Sequence, residues 1–295
     1  MPIYDYQGNP ISIGGDTSYD WSNKKITFEG DSITANSNIG YPAYVASALG
    51  ATANVIAIAG VPVYGAYEGN AWDFRRRISN IPYNTDAIVV LGDTNSISST
   101  TDDLFSTDIS KWTGRWNLAL NAIKKSFPTV PLFLVACFRQ GSKENNAKYV
   151  AEAFSRFAQH YGCIYVDLST ESPMNLLYSS KVWGLTDTDT VHPSHTAMPL
   201  YADTVLNHIK KIPPYNFTGT DSITIDSTAS VAVGATVDIG YTITGDQSIQ
   251  WTSSDMDVAC VMGGTVYGMS TGTATITATT RNGHTATCTV TVTTS

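Results

Sequence analysis

Hydrophobic positions follow one pattern up to about residue 212 and another beyond it. In the first part, short aliphatic or β-branched runs alternate with longer segments whose apolar residues recur at helical spacing. The helical stripes fall on residues 116–127 and 147–161. This alternation predicts a three-layer α/β fold with a mostly parallel sheet. The predicted strands are residues 25–28, 55–58, 87–91, 132–136 and 163–166.

The second pattern begins after Pro213-Pro214, where Thr, Val, Ile, Ser and Gly replace the helical stripes. Apolar and polar residues alternate over residues 273–279 and 285–292, which is the period of half-buried antiparallel strands. We therefore predict a small β-sandwich that forms a unit of its own. The predicted organisation is an N-terminal arm at 1–23, an α/β domain at 24–212, a linker at 213–221 and a β-sandwich at 222–295.

Length and charge narrow the range of partners. The chain has 295 residues and a formal net charge of −8, with no block of like charges. This argues against nucleic acid and anionic membrane surfaces as partners, and it favours a neutral or polar substrate. No basic segment followed by an apolar run opens the chain, so no secretory signal is predicted. No run reaches the ~18 apolar residues of a membrane span.

The four cysteines are Cys137, Cys163, Cys260 and Cys288. They are too scattered for a disulfide framework in a chain of this length, and none has the C-x-x-C spacing of a metal site. Small buried hydrophobes are the favoured interpretation. A bond between Cys260 and Cys288 stays open, because both lie in strand-like segments.

A candidate nucleophile lies where a predicted strand ends. Residues 26–34 read Ile-Thr-Phe-Glu-Gly-Asp-Ser-Ile-Thr, and the helix-like segment 41–49 follows. Ser32 then sits at the carboxyl end of a strand and near a helix amino terminus, where backbone N–H groups favour developing negative charge. The alternative is that Ser32 only caps the helix, and this motif by itself leaves both interpretations open.

A matching base and acid lie far away in sequence, in the segment Asp189-Thr-Val-His192. An Asp three residues before a His can accept the Nδ1–H bond and leave Nε2 free to take a proton from a serine. Ser32, Asp189 and His192 therefore form a complete catalytic set. Asp187 and His195 lie close by and could suggest a metal site, but the serine partner explains the cluster without metal. No metal and no cofactor are predicted.

At these motifs the chain resembles the SGNH, or GDSL-like, hydrolase family over residues 24–212. Residues 30–34, Gly-Asp-Ser-Ile-Thr, match the family's first block, and residues 189–193, Asp-Thr-Val-His-Pro, match its last block. Residues 57–60 resemble the second block and residues 91–96 the third. The resemblance implies a flavodoxin-like α/β/α sandwich with a serine esterase site at the carboxyl ends of the strands. The family's oxyanion hole maps onto Ser32, Gly60 and Asn95.

The third block departs from the family pattern, which usually reads Gly-x-Asn-Asp. Here either one residue is inserted after Gly92 or Asp93 replaces the glycine, and Ser96 stands where the second Asp would be. Asn95 remains the expected oxyanion donor by resemblance. Its alternative role is that of a simple turn residue after a buried strand.

The C-terminal part contains a Gly-x-Ser-x-Gly motif at residues 268–272. It lies between two alternating strands with no helix after it, so the strand-to-helix elbow of an α/β-hydrolase cannot form there. Residues 249–255, 264–268, 272–278 and 288–292 instead resemble the bacterial Ig-like group 2 domains. The resemblance implies a spacer or adhesion module of a bacterial surface protein or a phage virion. Trp251 is expected in the core of that module, with a sugar platform as the alternative.

Together these features predict a serine esterase that removes acetyl or similar acyl groups from a polysaccharide or cell-surface glycan, or cleaves small esters. The expected location is extracellular, on the cell surface or on a phage virion, with attachment through the Ig-like domain. The alternative is a recognition or structural module of such a surface or virion, with secondary or no esterase activity. Four aromatic residues could line a sugar subsite or be ordinary packing, namely Tyr64, Tyr67, Trp72 and Trp183.

Overall fold

The computed structural model describes the chain except residues 1–2, 5–9, 12–17, 36–39, 61, 65–73, 94, 96–102, 138–143, 173–191, 193–197 and 295. Contacts divide the chain into two compact units. The first unit consists of Met1–Val63, Thr85–Ser106 and Pro131–Tyr215. The second consists of Tyr64–Asn84, Thr107–Val130 and Asn216–Ser295. The second unit thus joins two segments of the predicted α/β domain to the predicted β-sandwich.

The helices and strands follow the chain in two blocks. Up to residue 210 they are β1 (Ile3–Tyr4), β2 (Pro10–Ile11), β3 (Lys25–Glu29), α1 (Ser32–Ala35), α2 (Tyr41–Leu49), β4 (Thr52–Val55), α3 (Phe74–Ser79), β5 (Ala87–Gly92), α4 (Trp112–Ser126), β6 (Leu132–Ala136), α5 (Glu144–Tyr161), β7 (Ile164–Asp167), α6 (Leu168–Glu171) and α7 (Met198–Lys210). The later strands are β8 (Ser222–Ile225), β9 (Thr228–Ala232), β10 (Thr236–Asp238), β11 (Tyr241–Thr244), β12 (Ile249–Ser253), β13 (Ala259–Met262), β14 (Thr265–Gly268), β15 (Gly272–Thr280) and β16 (Thr285–Thr293).

The first unit is built on a parallel five-stranded sheet in the order β4-β3-β5-β6-β7. Strands β5 and β6 are buried along their whole length, as expected of strands covered on both faces. The earliest of the five strands lies between the second and the third, which is the flavodoxin-like order. The predicted α/β fold with a parallel sheet is confirmed.

One face of this sheet is covered by α2 and α7, which pack on each other as well as on the strands. Helix α2 buries Tyr41, Val45 and Leu49, a spacing of four residues that keeps them on one face. The helix ends at Gly50, whose φ of 64° is left-handed and whose N–H caps the last carbonyls. The predicted helices at 41–49, 116–127 and 147–161 correspond to α2, α4 and α5.

Strand β4 covers Thr52–Val55 and not the predicted residues 55–58, so both of its ends lie three residues earlier than predicted. Its backbone pairs with β3 from Thr52 to Val55, and the apolar residues that follow continue beside β3 without being part of the strand. Two of their N–H groups still donate to β3 and its turn, Ile56 to Phe28 (3.0 Å) and Ile58 to Gly30 (3.2 Å). The pairing partner, rather than the most apolar residues, therefore sets the strand ends.

The second unit contains an Ig-like β-sandwich. Its sheets have the orders β12-β15-β16-β9 and β10-β14-β13, with β11 and β8 forming a further pair. Alternate residues of β15 and β16 point into one apolar core, as the period of two predicts. Trp251 is 3% exposed in that core, so the core assignment is confirmed. All four cysteines are free and buried, in agreement with small hydrophobes.

The Gly-x-Ser-x-Gly motif spans the connection between β14, which ends at Gly268, and β15, which begins at Gly272. Ser270 donates its hydroxyl hydrogen bond to the Asp257 carbonyl at 2.7 Å. No helix follows the motif, so the prediction that it is not a nucleophile elbow agrees with the structure.

Candidate active site

Three sequence blocks lie at the carboxyl ends of three neighbouring strands. Ser32 follows β3, Gly60 follows β4 after a short extended segment, and Asn95 follows β5. Because these strands are parallel and adjacent, their ends meet at one edge of the sheet. In this strand order, ligand sites form outside the carboxyl ends where the winding direction reverses. Here that point lies between β3 and β5, which carry Ser32 and Asn95.

The turn that presents Ser32 is held by its own backbone and by Asp31. The Asp31 carboxylate accepts the Ile33 N–H at 3.0 Å, and the Asp31 carbonyl accepts the N–H groups of Thr34 and Ala35. Asp31 is fully buried, whereas Ser32 is half-buried. The capping of α1 is thus supplied by Asp31, which leaves the Ser32 hydroxyl available for another partner.

Gly30 is required by the close packing of this turn. A Cβ added there would lie 2.1 Å from the Thr34 Oγ1 atom and 3.1 Å from the Leu91 carbonyl oxygen. We expect Gly30→Ala to lower the free energy of unfolding by about 1–3 kcal/mol, the usual cost of overpacking a buried site. Urea unfolding would measure the loss. In a Thr34→Gly background the loss caused by Gly30→Ala should be smaller, because the Thr34 Oγ1 atom and the Thr34 Cβ atom, 2.7 Å away, are then both gone. An equal loss in both backgrounds would contradict this cause.

His192 meets Ser32 across 160 residues of sequence. Its Nε2 atom lies 2.7 Å from the Ser32 Oγ atom, within hydrogen-bonding distance. His192 itself is exposed. The structure therefore brings together two of the three residues that the sequence singled out. The third, Asp189, lies outside the described residues, as do Asp187 and His195.

The loops after β4 and β5 are tied together by Asp93. Its carboxylate, in a side chain that is 1% exposed, accepts the Val63 N–H at 3.4 Å. Gly60, three residues before Val63, is exposed and has a left-handed φ of 79° with no atom near the position of a Cβ. Asn95 is half-buried two residues after Asp93. The residue that departs from the family pattern thus holds a contact between the two loops that carry Gly60 and Asn95.

Sequence reasoning missed Glu29 as a part of this turn. Its side chain is 1% exposed, and its carboxylate accepts the Gly30 N–H at 3.0 Å. The sequence contained a signal for this role, because Glu29 ends an otherwise largely apolar strand, and a buried carboxylate needs hydrogen-bond partners.

Among the described residues, Cys137, which directly follows β6, is a second nucleophilic side chain near this edge. Burial, and after it the negative charges of Asp31 and Asp93, raise the pKa of its thiol to about 12. The thiol therefore stays protonated at neutral pH and is a poor nucleophile. Of these two described side chains, Ser32 is the one with a histidine beside it.

The other described histidines have partners that the sequence did not reveal. His208 pairs with Glu171 at 2.6 Å, and His160 stacks on the Phe105 ring with centroids 4.5 Å apart. The His284 Nδ1 atom lies 2.9 Å from the Asp221 carboxylate, which also accepts a hydrogen bond from the Thr280 hydroxyl. These contacts stabilise a turn of the second unit. Among the described residues, no group of three or more His, Cys, Asp or Glu could hold a metal ion.

Of the four aromatic candidates for a sugar subsite, only Tyr64 is described. It is fully buried, and its ring packs edge-on against Trp116 with centroids 4.5 Å apart. The packing alternative therefore accounts for Tyr64. Tyr67, Trp72 and Trp183 lie outside the described residues.

Comparisons with known proteins agree with this arrangement. The GDSL-like lipase/acylhydrolase family matches residues 28–198, and the bacterial Ig-like domain (group 2) matches residues 220–290. A crystal structure of a protein from Lactobacillus plantarum aligns with a TM-score of 0.55 at 20% identity, over 63% of this chain and 96% of its own. A second solved structure aligns with a TM-score of 0.57 at 18% identity, over 66% of this chain and 99% of its own. Both similarities show the fold.

A curated relative shares a shorter region. It is a 3-O-alpha-D-galactosyl-alpha-L-arabinofuranosidase from Bifidobacterium longum subsp. longum, 36% identical over 94 residues. That region is 30% of this chain and 8% of the relative, so the chain spans a small part of the relative's length. A helix that could cross a membrane is absent from the part of the chain that the structure describes.

The family match covers more than half of the chain, and it includes the Gly-Asp-Ser turn and both loops beside it. The Ig-like match begins at residue 220, shortly after the change of composition at Pro213-Pro214. The chain therefore belongs to the GDSL-like lipase/acylhydrolase family and carries a group 2 bacterial Ig-like domain after its hydrolase region.

Proposed function

We propose that the protein is a serine esterase in which Ser32 is the nucleophile, His192 the general base and Asp189 the acid that orients His192. The observation that carries this proposal is the 2.7 Å approach of the His192 Nε2 atom to the Ser32 Oγ atom. A hydroxyl becomes a useful nucleophile when a base within hydrogen-bonding distance can take its proton. Asp189 is assigned to this role because it lies three residues before His192, a spacing that lets its carboxylate accept a hydrogen bond from the His192 Nδ1–H group.

The reaction divides into two transfers of the acyl group. Ser32 Oγ bonds to the ester carbonyl carbon while its proton passes to His192 Nε2, and the carbonyl electron pair moves onto oxygen. Collapse of this intermediate breaks the bond to the alcohol, which takes the proton from His192. Water then attacks the acyl-enzyme, again giving its proton to His192, and Ser32 leaves with that proton as the free acid is released.

The oxyanion of both steps would be stabilised by the Ser32 and Gly60 N–H groups and by the Asn95 amide. In support, these residues follow three adjacent parallel strands at one edge of the sheet. Gly60 is exposed, no atom lies within 4 Å of the position of a Cβ, and glycine has no side chain that could cover its own N–H. Donors held in place before the reaction stabilise the developing charge without reorganising.

We expect Asn95→Ala to lower kcat by roughly 10²- to 10³-fold, about 2.7–4 kcal/mol, while KM changes little. The reason is that an oxyanion donor acts on charge that develops only in the transition state. Steady-state kinetics on an aryl acetate would measure both constants. Asn121→Ala, on an exposed surface of α4, is the matched control and should leave both unchanged. A change in KM alone, or a larger effect at Asp93, would require a shifted alignment of this block.

For the substrate we propose an acetyl or similar acyl group on a polysaccharide or cell-surface glycan. His192 is exposed and Ser32 is half-buried, so the pair is open enough for an acyl group carried on a polymer. The Ig-like domain is of a type found in surface proteins, and the acidic chain suits a neutral glycan. The name of the relative that shares 94 residues also describes a carbohydrate-active protein. Tyr67, Trp72 and Trp183 remain candidates for sugar contacts.

The alternative is a surface or virion module in which esterase activity is secondary or absent, and the Ig-like domain favours it. A fluorophosphonate probe separates the two, because it reacts only with an activated serine. We expect one label per chain, located at Ser32, and acetate release from acetylated xylan or acetylated cell-wall glycan. Each glycan is compared with its de-O-acetylated form. Absence of labelling in the folded protein would support the alternative of a surface or virion module. Labelling without acetate release would keep the esterase assignment and overturn the proposed glycan substrate.

A further inference from the structure

Two edge strands of the Ig-like sandwich lie on the same side. Strand β12 is the last strand of the four-stranded sheet, and β13 is the last strand of the three-stranded sheet. The two strands follow each other in sequence and pack together. Edge strands present unpaired backbone groups, and natural proteins commonly cover them with a helix or loop.

Within the second unit, α3 and α4 cover this side. Each of the two helices packs on both β12 and β13. Both helices belong to the segment at 28–198 that matches the hydrolase family, not to the Ig-like match at 220–290. The edge that would invite pairing with another chain is therefore occupied by helices of the hydrolase region.

Gln250 of β12 fixes the position of the chain at the end of α3. Its amide nitrogen donates to the Ser79 carbonyl at 2.9 Å, and its amide oxygen accepts the Tyr83 N–H at 3.1 Å. Both ends of one amide are thus used by two backbone groups, which sets orientation as well as distance. A solvated strand residue would not need either contact.

The turn between β13 and β14 lies directly on α4. It consists of Gly263 and Gly264, which both have positive φ, as a two-residue hairpin turn requires. A Cβ added to Gly263 would lie 3.1 Å from both the Cα and the carbonyl oxygen of Ala122. The missing side chain therefore allows the hairpin and the helix backbone to approach each other closely.

Two arginines of α3 contact neighbouring parts of the sandwich, namely the β12–β13 connection and strand β14. Arg76 forms an ion pair with Asp257, and the Arg75 guanidinium lies 5.6 Å from the centroid of the Tyr267 ring. The Asp257 side chain is 69% exposed, so solvent screens the ion pair and its main effect is on orientation. Arg75 is 6% exposed, so its guanidinium lies over the ring largely out of water.

We propose that the β12–β13 edge of the Ig-like domain is a docking surface for α3 and α4, so that this domain braces two helices of the hydrolase region. The sequence suggested a separate unit that only spaces or attaches the enzyme. The contacts above instead give the domain a structural role inside the chain. This proposal does not depend on which reaction the protein performs.

The test uses the full chain and hydrogen exchange of α3 and α4. Gly263→Ala should push the hairpin away from Ala122 and speed exchange in α4 by about tenfold or more, because local opening becomes easier. Gly234→Ala is the matched control, since Gly234 also has positive φ (79°) but no atom within 4 Å of a Cβ. It introduces the same kind of backbone strain without the clash and should leave α4 protected. Equal effects of the two variants, or none, would overturn the proposal.

A second pair of variants guards against failure of Gly263→Ala to fold. Gln250→Ala removes both hydrogen bonds and should speed exchange at the end of α3. Gln247→Ala is the control, because the Gln247 amide donates only within its own turn, to Gly245 at 2.9 Å. Unchanged protection of α3 in Gln250→Ala would contradict the docking role of β12.

Discussion

Ser32→Ala is expected to abolish ester hydrolysis, lowering kcat by about 10⁴- to 10⁶-fold while the protein stays folded. Loss of the nucleophile removes the covalent route and leaves only binding and oxyanion stabilisation. The fold should tolerate the change, because Asp31 supplies the cap of α1 and the Ser32 hydroxyl faces His192. Turnover of a short aryl ester and the thermal midpoint, measured on the same preparation, give the two readouts.

Ser47→Ala is the matched control for this experiment. Ser47 is exposed on α2 and belongs to no proposed step, so its loss should change neither turnover nor stability appreciably. Fluorophosphonate labelling should disappear in Ser32→Ala and persist in Ser47→Ala. Full activity in the folded Ser32→Ala protein would remove Ser32 as nucleophile, and labelling elsewhere would point to another serine.

Asp189→Asn should lower kcat by about 10⁴-fold at neutral pH, because an amide in place of the acid favours the wrong tautomer of the histidine. Asp187→Asn should have a mild effect. Only Asp189 has the three-residue spacing that lets its carboxylate return to the Nδ1 side of His192. The Nε2 side of that ring is already taken by Ser32.

The ranking of these two variants is the informative result. Both changes remove one negative charge from the same segment, so each controls for the general effect of charge on the other. In Asp189→Asn, KM should stay near its original value while kcat falls, since the acid acts through His192 and not on the bound ester. A severe Asp187→Asn and a mild Asp189→Asn would show that the other carboxylate orients the histidine.

Several elements could be predicted from the sequence because local pattern and burial agree. The bounds of β6 and α2 match the predicted 132–136 and 41–49, since an apolar run and a stripe of period near 3.6 are set by the residues themselves. The predicted bounds of β4 were wrong by three residues, because this edge strand has few buried residues to mark its ends. Its ends depend on hydrogen bonds to β3, which no local pattern encodes.

The pairing of Ser32 with His192 was also predictable, although 160 residues separate them. A serine and a histidine that lie in two recognisable sequence blocks are enough to predict the contact before any strand order is known. The carboxylates that surround the Ser32 turn were not predicted. Glu29 and Asp93 look like ordinary polar residues in sequence, and only burial to 1% exposure gives them a role.

Helix α3 marks the limit of sequence reasoning most clearly. Three successive arginines, Arg75 to Arg77, have the composition of a solvated segment, yet Arg75 and Arg77 are 6% and 1% exposed. The sequence by itself determined the two fold classes, the change of pattern near residue 212 and the contact between Ser32 and His192, because periodicity and motif spacing are local properties. Only the tertiary structure decided that α3 and α4 cover the β12–β13 edge, because burial of charged and backbone groups depends on partners from distant parts of the chain.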